Sequence, residues 1–382
     1  MFTDIYIDHG QVVFLFISKF APTVLAAALL MWMTSFGGAV KVSNEEPELS
    51  AESAVLICAD SGQVLYEKAP DRKMAIASIT KIMTAVIALE HAEYDDKEIR
   101  FTKEMTAEGS SLYLQEGEVL TLSQLTAGMM CVSGNDAANA VAVGIAGSLE
   151  KFAVLMNEKA ASLGMSSTHF VTPSGLDDDE HYSTAHDMSL LCRYAMSMES
   201  FRRIVSQKTL TVSYVSPDGK TQCCTNHNKL LSTYQGCTGI KTGFTKKAGR
   251  TLTSCAERDG VRLIAVTLKA PDDWNDHRKL FDYGFSVTEG FRTVTAEQRF
   301  ELPVAGGAAD FTYVKPKEEC ICTVIKGEPQ EIKIRVFMPH FVYAPQNSGG
   351  TAGRICCYLN GTKVAETELI YTEEIIQTGQ KT

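Results

Sequence analysis

The chain reads as an α+β protein, a helix-covered antiparallel sheet followed by a small C-terminal all-β domain, and three observations predict it. A strand pair opens the folded part, helical periodicity fills the middle, and alternation then resumes and ends in one more helix. Segments from both ends therefore belong to one sheet packed against the intervening helices. From about residue 293 onward only short alternating stretches remain, with Gly306-Gly307 and Gly349-Gly350 at turns.

Residues 52–58 and 63–67 flank Asp60-Ser61-Gly62, two strands around a Gly-containing turn. Ser78 to Glu90 carries Ile79, Ile82, Met83, Val86, Ile87 and Leu89 at helical spacing, which places Ser78 in the first turn of a helix. Helical patterns recur at 121–130, 136–146 and 149–164. Thr184-Ala185-His186-Asp187 has the form of a capping box ahead of another apolar helical pattern. Alternation follows at 208–215, 220–225, 236–245, 250–256 and 261–269, with turns at Pro217-Asp218-Gly219 and Asp259-Gly260. A helix over 272–289, with Trp274, Leu280, Phe281 and Phe285 on its apolar face, closes the domain.

Composition bounds what such a fold does. The 382 residues, 45% hydrophobic and 21% charged, suffice for two cores. The predicted domains are 41–292 and 293–382. A net charge of -10, from 36 basic and 46 acidic residues, excludes a nucleic-acid partner, which needs a Lys/Arg surplus. Phe20 to Val40 is uncharged, follows Lys19, and includes the small-residue stretch Ser35-Phe36-Gly37-Gly38-Ala39. Residues 1–40 are therefore expected to be a signal peptide or an N-terminal membrane anchor, with residues 12–40 making any membrane contact. The protein is accordingly expected outside the cytoplasm. Eleven cysteines, an odd number, cannot form a closed set of internal disulfides.

Three short motifs carry chemistry. Ser78-Ile79-Thr80-Lys81 sets a hydroxyl and an amine on one helical face, where a lysine kept neutral can take the serine's proton. The motif alone is common, and Ser148-Leu149-Glu150-Lys151 is a second match. Ser133-Gly134-Asn135, between two helical stretches, offers a hydroxyl for proton relay and an amide to hold Lys81. Lys241-Thr242-Gly243, on a predicted strand, offers a cation, a hydroxyl and a glycine that admits a substrate to the strand edge.

In this order the three match the Ser-x-x-Lys, Ser-x-Asn, Lys-Thr-Gly set of the serine penicillin-recognising enzymes. With A-S-I-T-K-I-M-T-A, M-C-V-S-G-N-D-A-A-N-A, G-I-K-T-G-F-T-K-K-A-G-R, H-F-V-T-P-S-G-L-D and H-Y-S-T-A-H-D-M around them, residues 50–290 resemble the D-alanyl-D-alanine carboxypeptidases, the low-molecular-mass penicillin-binding proteins. The resemblance extends more loosely over the β domain. It implies a β-lactamase-like fold and an exported enzyme, secreted or attached to the outer face of the cytoplasmic membrane. Its substrate would be the peptidoglycan pentapeptide, from which it removes the terminal D-alanine, and β-lactam antibiotics would acylate it. Carried over by position, Ser78 is the nucleophile, Lys81 its base, Ser133 and Asn135 the second element, and Lys241 and Thr242 the carboxylate site. The backbone N–H groups of Ser78 and Phe244 form the oxyanion hole. Neither a cofactor nor a metal is implied.

The chain departs from the family at two points. Where some members carry histidine, it has Phe244 and Ser174, which returns water activation to Lys81 with Ser133. Where many carry an arginine after the strand at 261–269, it has Leu268-Lys269-Ala270-Pro271, so that Lys269 is the stand-in. A β-lactamase is disfavoured because no E-x-x-L-N segment lies between Ser133 and Lys241. A non-enzymatic wall-binding protein is disfavoured by three unbroken motifs.

Other clusters have plainer readings. Asp177-Asp178-Asp179-Glu180 is expected to be a solvated loop, and His181 and His186 structural. Cys131 is expected in the core. Cys320, Cys322, Cys356 and Cys357 lack the spacing of a zinc site.

Overall fold

The computed structural model describes residues 3–8, 11–13 and 45–378. Two compact units divide between Thr288 and Glu289, slightly before the predicted boundary at 293, because the strand that enters the β unit starts where the last helix stops.

The larger unit, residues 46–288, is built on five antiparallel strands. Their spatial order is Val64–Lys68, Ser53–Cys58, Val261–Leu268, Gly249–Arg258, Cys237–Thr245. Both faces of the sheet are covered, so a strand such as Ser53–Cys58 is buried along its whole length. Its alternating side chains serve two cores. Val55 and Ile57 face the helical core with Ile264 and Val266, whereas Ala54, Leu56 and Cys58 pack with Leu263, Leu280 and Phe281 around the helix Asp273–Val287. The two ends of the unit meet as expected: Asp276 accepts from Ser50 N, Ser50 Oγ and Ala51 N at 2.8–2.9 Å.

The helices Lys81–Ala92, Leu122–Val132, Asn135–Ala146, Leu149–Ser162 and Ala185–Ser197 lie where periodicity placed them, and Glu199–Val205 is an additional short one. Three details differ from expectation. Ser78 belongs to a 3-10 turn, Ala77–Thr80, that precedes the α-helix. The strands Thr209–Ser213 and Thr221–Thr225 form a separate ribbon, whose Leu210, Val212 and Cys224 pack into the helical core. Thr184 caps its helix by accepting from Asp187 N at 3.0 Å, yet the Asp187 carboxylate turns instead to Ser167 N and Thr168 Oγ1.

The smaller unit carries an eight-stranded sheet and the strand pair Thr288–Val294 with Cys320–Ile325. Thr3–Asp8 pairs antiparallel with Ile332–Phe337, and Gln11–Val13 pairs with Thr3–Asp8. The apolar run 20–40 lies outside the described residues. Among those residues no single helix is long and apolar enough to cross a membrane.

Candidate active site

The turn that carries Ser78, Ala77–Thr80, is held by contacts remote in sequence. Ala77, immediately before Ser78, adopts φ 51°, a conformation strained for a residue with a side chain. The segment 171–181 braces the turn from below. Thr84 Oγ1 donates to Pro173 O at 2.6 Å, and a Cβ on Gly175 (φ +82°) would lie 2.0 Å from Ala77 O, so only glycine fits. His181 Nδ1 accepts from Val171 N and Thr172 N, leaving Nε2–H to donate to Thr80 Oγ1 at 2.8 Å. Burial holds the His181 pKa down to about 4, so the imidazole is neutral, and both of its ring nitrogens are engaged in bracing the turn.

Lys81 is fully buried and contacts three oxygens: Ser78 Oγ at 2.9 Å, Asn135 Oδ1 at 2.7 Å and Ser174 O at 2.6 Å. Desolvation, reinforced by the nearby Lys241 cation, pushes its pKa well below the ordinary lysine value, while Asp136 opposes the shift. The Asn135 amide oxygen and the Ser174 carbonyl can only accept. A neutral amine therefore spends its two N–H bonds on them and points its lone pair at Ser78 O–H. Asn135 cannot flip, because its Nδ2 donates to Glu108 O at 2.6 Å.

Ser133 ends the helix Leu122–Val132 in a left-handed conformation (φ 61°), and Gly134 opens the next helix. A Cβ on Gly134 would meet Asp136 Oδ1 at 2.9 Å and Leu112 N at 3.0 Å. Asp136 is the organiser here: its buried carboxylate accepts from Leu112 N, Leu114 N, Ser111 Oγ and Ala137 N at 2.7–3.1 Å.

Lys241, Thr242, Gly243 and Phe244 lie on Cys237–Thr245, the edge strand nearest the nucleophile. The glycine has a tighter job than admitting substrate. A Cβ there would sit 2.4 Å from Thr251 Oγ1 and 2.9 Å from Ser78 N, so its absence lets the strand abut the nucleophile turn. Lys241 is buried, donates to Thr242 O at 3.0 Å, and has its pKa brought down by desolvation to about 7.

A cleft of about 650 Å³ opens above these groups, lined by Ser78, Ser133, Thr242, Gly243 and Phe244. Lys81, Asn135 and Lys241 are buried beside it, so the structure brings all eight sequence-derived residues together. It adds others, notably His227 and Arg250. Arg250 lies directly across the ladder from Phe244. Its Nε and Nη2 donate to Asp273 Oδ1 at 3.0 and 2.8 Å, and its guanidinium lies 5.6 Å from the Trp274 ring centre. Lys269, the expected stand-in, instead pairs with Glu52 at 2.7 Å.

The remaining candidates resolve simply. Ser148 is a helix cap accepting from Lys151 N, so the second Ser-x-x-Lys match is structural. Cys131 is in the helical core, its thiol pKa pushed up by burial to about 12. The acidic loop is exposed, tied down by Thr245 to Asp177 and Lys247 to Asp179. Cys356 Sγ donates to Glu366 Oε2 at 3.0 Å, away from Cys357, and among the described residues no group of three or more His, Cys, Asp or Glu could hold a metal.

A serine hydroxyl in contact with a buried lysine, beside an edge strand on a helix-covered sheet, is the arrangement of a serine hydrolase of the Ser-x-x-Lys class. Comparison with known proteins narrows this. The D-alanyl-D-alanine carboxypeptidase family model matches residues 40–272, and the C-terminal domain of penicillin-binding protein 5 matches 291–377. D-alanyl-D-alanine carboxypeptidase DacF of Bacillus subtilis is 31% identical over 94% of this chain and 95% of its own length. DacC of Escherichia coli is 31% identical over 95% and 90%. The crystal structure of DacD from Francisella tularensis covers 90% of this chain and 97% of its own at a TM-score of 0.63 and 27% identity. The chain belongs to the serine-type D-alanyl-D-alanine carboxypeptidase family, the low-molecular-mass penicillin-binding proteins.

Proposed function

We propose that this chain removes the terminal D-alanine from peptidoglycan stem peptides through an acyl-enzyme on Ser78, and that penicillin stops it at the same serine. The observation that carries this reading is the contact between Ser78 Oγ and a buried Lys81 whose two other partners accept only. Lys81 takes the hydroxyl proton as Oγ attacks the penultimate D-alanine carbonyl. Charge on the carbonyl oxygen is met by the N–H groups of Ser78 and Phe244. Lys81, with Ser133 as relay, returns the proton to the departing amine. Water then releases the shortened peptide, activated by the same pair.

The substrate lies along the edge strand, and its terminal carboxylate meets Lys241 and Thr242. Lys241 alone is an uncertain cation near neutrality, since its pKa is about 7. The Arg250 guanidinium is a planar fork of donors suited to a carboxylate, and Nη1 takes no part in its pair with Asp273. It therefore takes the part assigned in the sequence to Lys269. Action on the cell wall places the enzyme outside the cytoplasm, with residues 12–40 as the means of export or membrane attachment.

The reaction is tested by D-alanine release from a peptide ending in D-Ala-D-Ala. The wild-type chain releases it and Ser78→Ala does not. Cleavage by Ser78→Ala at the wild-type rate sinks the assignment. Arg250→Gln is expected to lower kcat/KM on this peptide by about 10- to 100-fold, the loss of one charge-assisted hydrogen-bonded contact, while Lys269→Gln leaves it unchanged.

A further inference from the structure

Eleven cysteines are all thiols in the structure, and three of them converge in the core of the β unit. Cys320 and Cys322 lie two apart on one strand, hence on one face, and Cys357 comes from the strand Thr351–Leu359. The hydroxyl of Thr293 joins them: Oγ1 lies 3.2 Å from Cys357 Sγ and 3.8 Å from Cys322 Sγ, and donates to Cys320 O at 3.1 Å. The side chains of Cys320 and Cys322 both lie near enough to Cys357 to hold its thiol pKa below the ordinary value by hydrogen bonding. Its chain neighbour Cys356 points the other way, to Glu366. Among the described residues the trio is not part of any group able to hold a metal ion.

We propose that this trio is a disulfide-forming site, in which Cys357 bonds to Cys320 or Cys322 and the third cysteine remains a thiol able to exchange. The oxidant is a disulfide, either a small molecule or an exported thiol oxidoreductase. The Cys357 thiolate attacks one sulfur of that disulfide, whose S–S bond breaks and releases a first thiol. The thiolate of Cys320 or Cys322 then attacks Cys357 Sγ and expels the second thiol. The two protons lost by the protein are carried by the two thiols released, and the two protein thiols are oxidised as one external disulfide is reduced. Hydrogen bonding from the neighbouring Cys320 and Cys322 thiols favours the thiolate on Cys357, which suits it to the first attack. All three sulfurs are shielded from solvent, so exchange belongs to folding or to transient opening of the unit. The product ties two strands across one core and is expected to raise the urea midpoint of the β unit.

The test uses the full chain, reduced in denaturant and refolded with glutathione disulfide and glutathione. A parallel sample of native protein is held in glutathione disulfide at sub-denaturing urea. Both are then alkylated and digested without reduction. Mass spectrometry is expected to find Cys357 linked to Cys320 or Cys322 in most molecules, with Cys356 alkylated. Cys357→Ser is expected to abolish the link and Cys356→Ser to keep it. Full alkylation of Cys320, Cys322 and Cys357 in both samples, or a link through Cys356, overturns the proposal. D-alanine release by the same samples reports the folding of the catalytic unit separately.

Discussion

Lys81 decides the chemistry through what surrounds its amine. Asn135 Oδ1 and Ser174 O can only accept, so protonation converts the third contact from a lone pair facing Ser78 into another N–H. Acylation is therefore expected to fall as pH drops through the depressed Lys81 pKa, and Lys81→Arg, never neutral, is expected to cut the penicillin acylation rate by about 10³-fold at every pH. Lys241 has the opposite sign. It grips a carboxylate only when protonated, so KM is expected to rise as pH climbs past about 7, which steady-state kinetics across pH 6–9 measures. Ser78, Lys81, Ser133, Asn135 and Lys241 were legible in the sequence because their motifs state the chemistry. Arg250 was hidden only by arithmetic: the tight turn after Thr245 puts it across from Phe244, a register count the sequence permits. Asp136 gave less notice, since a carboxylate beside Asn135 reads as an ordinary first-turn helix acid until its four partners are seen.

Elements hold these residues by close approach, and that is where sequence periodicity stops. Periodicity located the helix after Ser78, but the 3-10 turn depends on Ala77 in its strained conformation and on the segment 171–181 packed beneath it, contacts remote in sequence. The same segment yields Ser174 O, a backbone atom that no motif names. Asp136→Asn is expected to lower stability by about 3 kcal/mol in urea denaturation, because the new NH2 faces donors of the loop 110–114. Gly243→Ala is expected to force the edge strand away from Ser78 N and to slow acylation about 10-fold or more, at a stability cost of about 1–3 kcal/mol. Stopped-flow acylation and thermal melts separate the two effects.

At the scale of the whole molecule, the acidic balance and the cationic site fit together: the charge of -10 is a property of the chain, while Lys241 and Arg250 supply positive charge locally. Two buried histidines set its response to acid. His181 is held to about 4, and His277, between Ser254 and Thr267, to about 3, both mainly by burial. Each stays neutral in the fold but takes a proton when unfolded near 6.5, so the unfolded state gains protons and stability falls as pH drops from about 6.5 toward 4. Urea midpoints across that range are expected to show this slope, and His181→Gln to reduce it. The α+β architecture and the second β unit were visible in the order of periodic segments. The separation of the Thr209–Thr225 ribbon from the main sheet was not, since alternation marks a strand without naming its partner. The most direct test of the account is peptide mapping after brief exposure to penicillin. One adduct per chain on Ser78, lost in Ser78→Ala and slowed in Lys81→Arg, is the predicted result; an unlabelled Ser78, or an adduct on another residue, contradicts it.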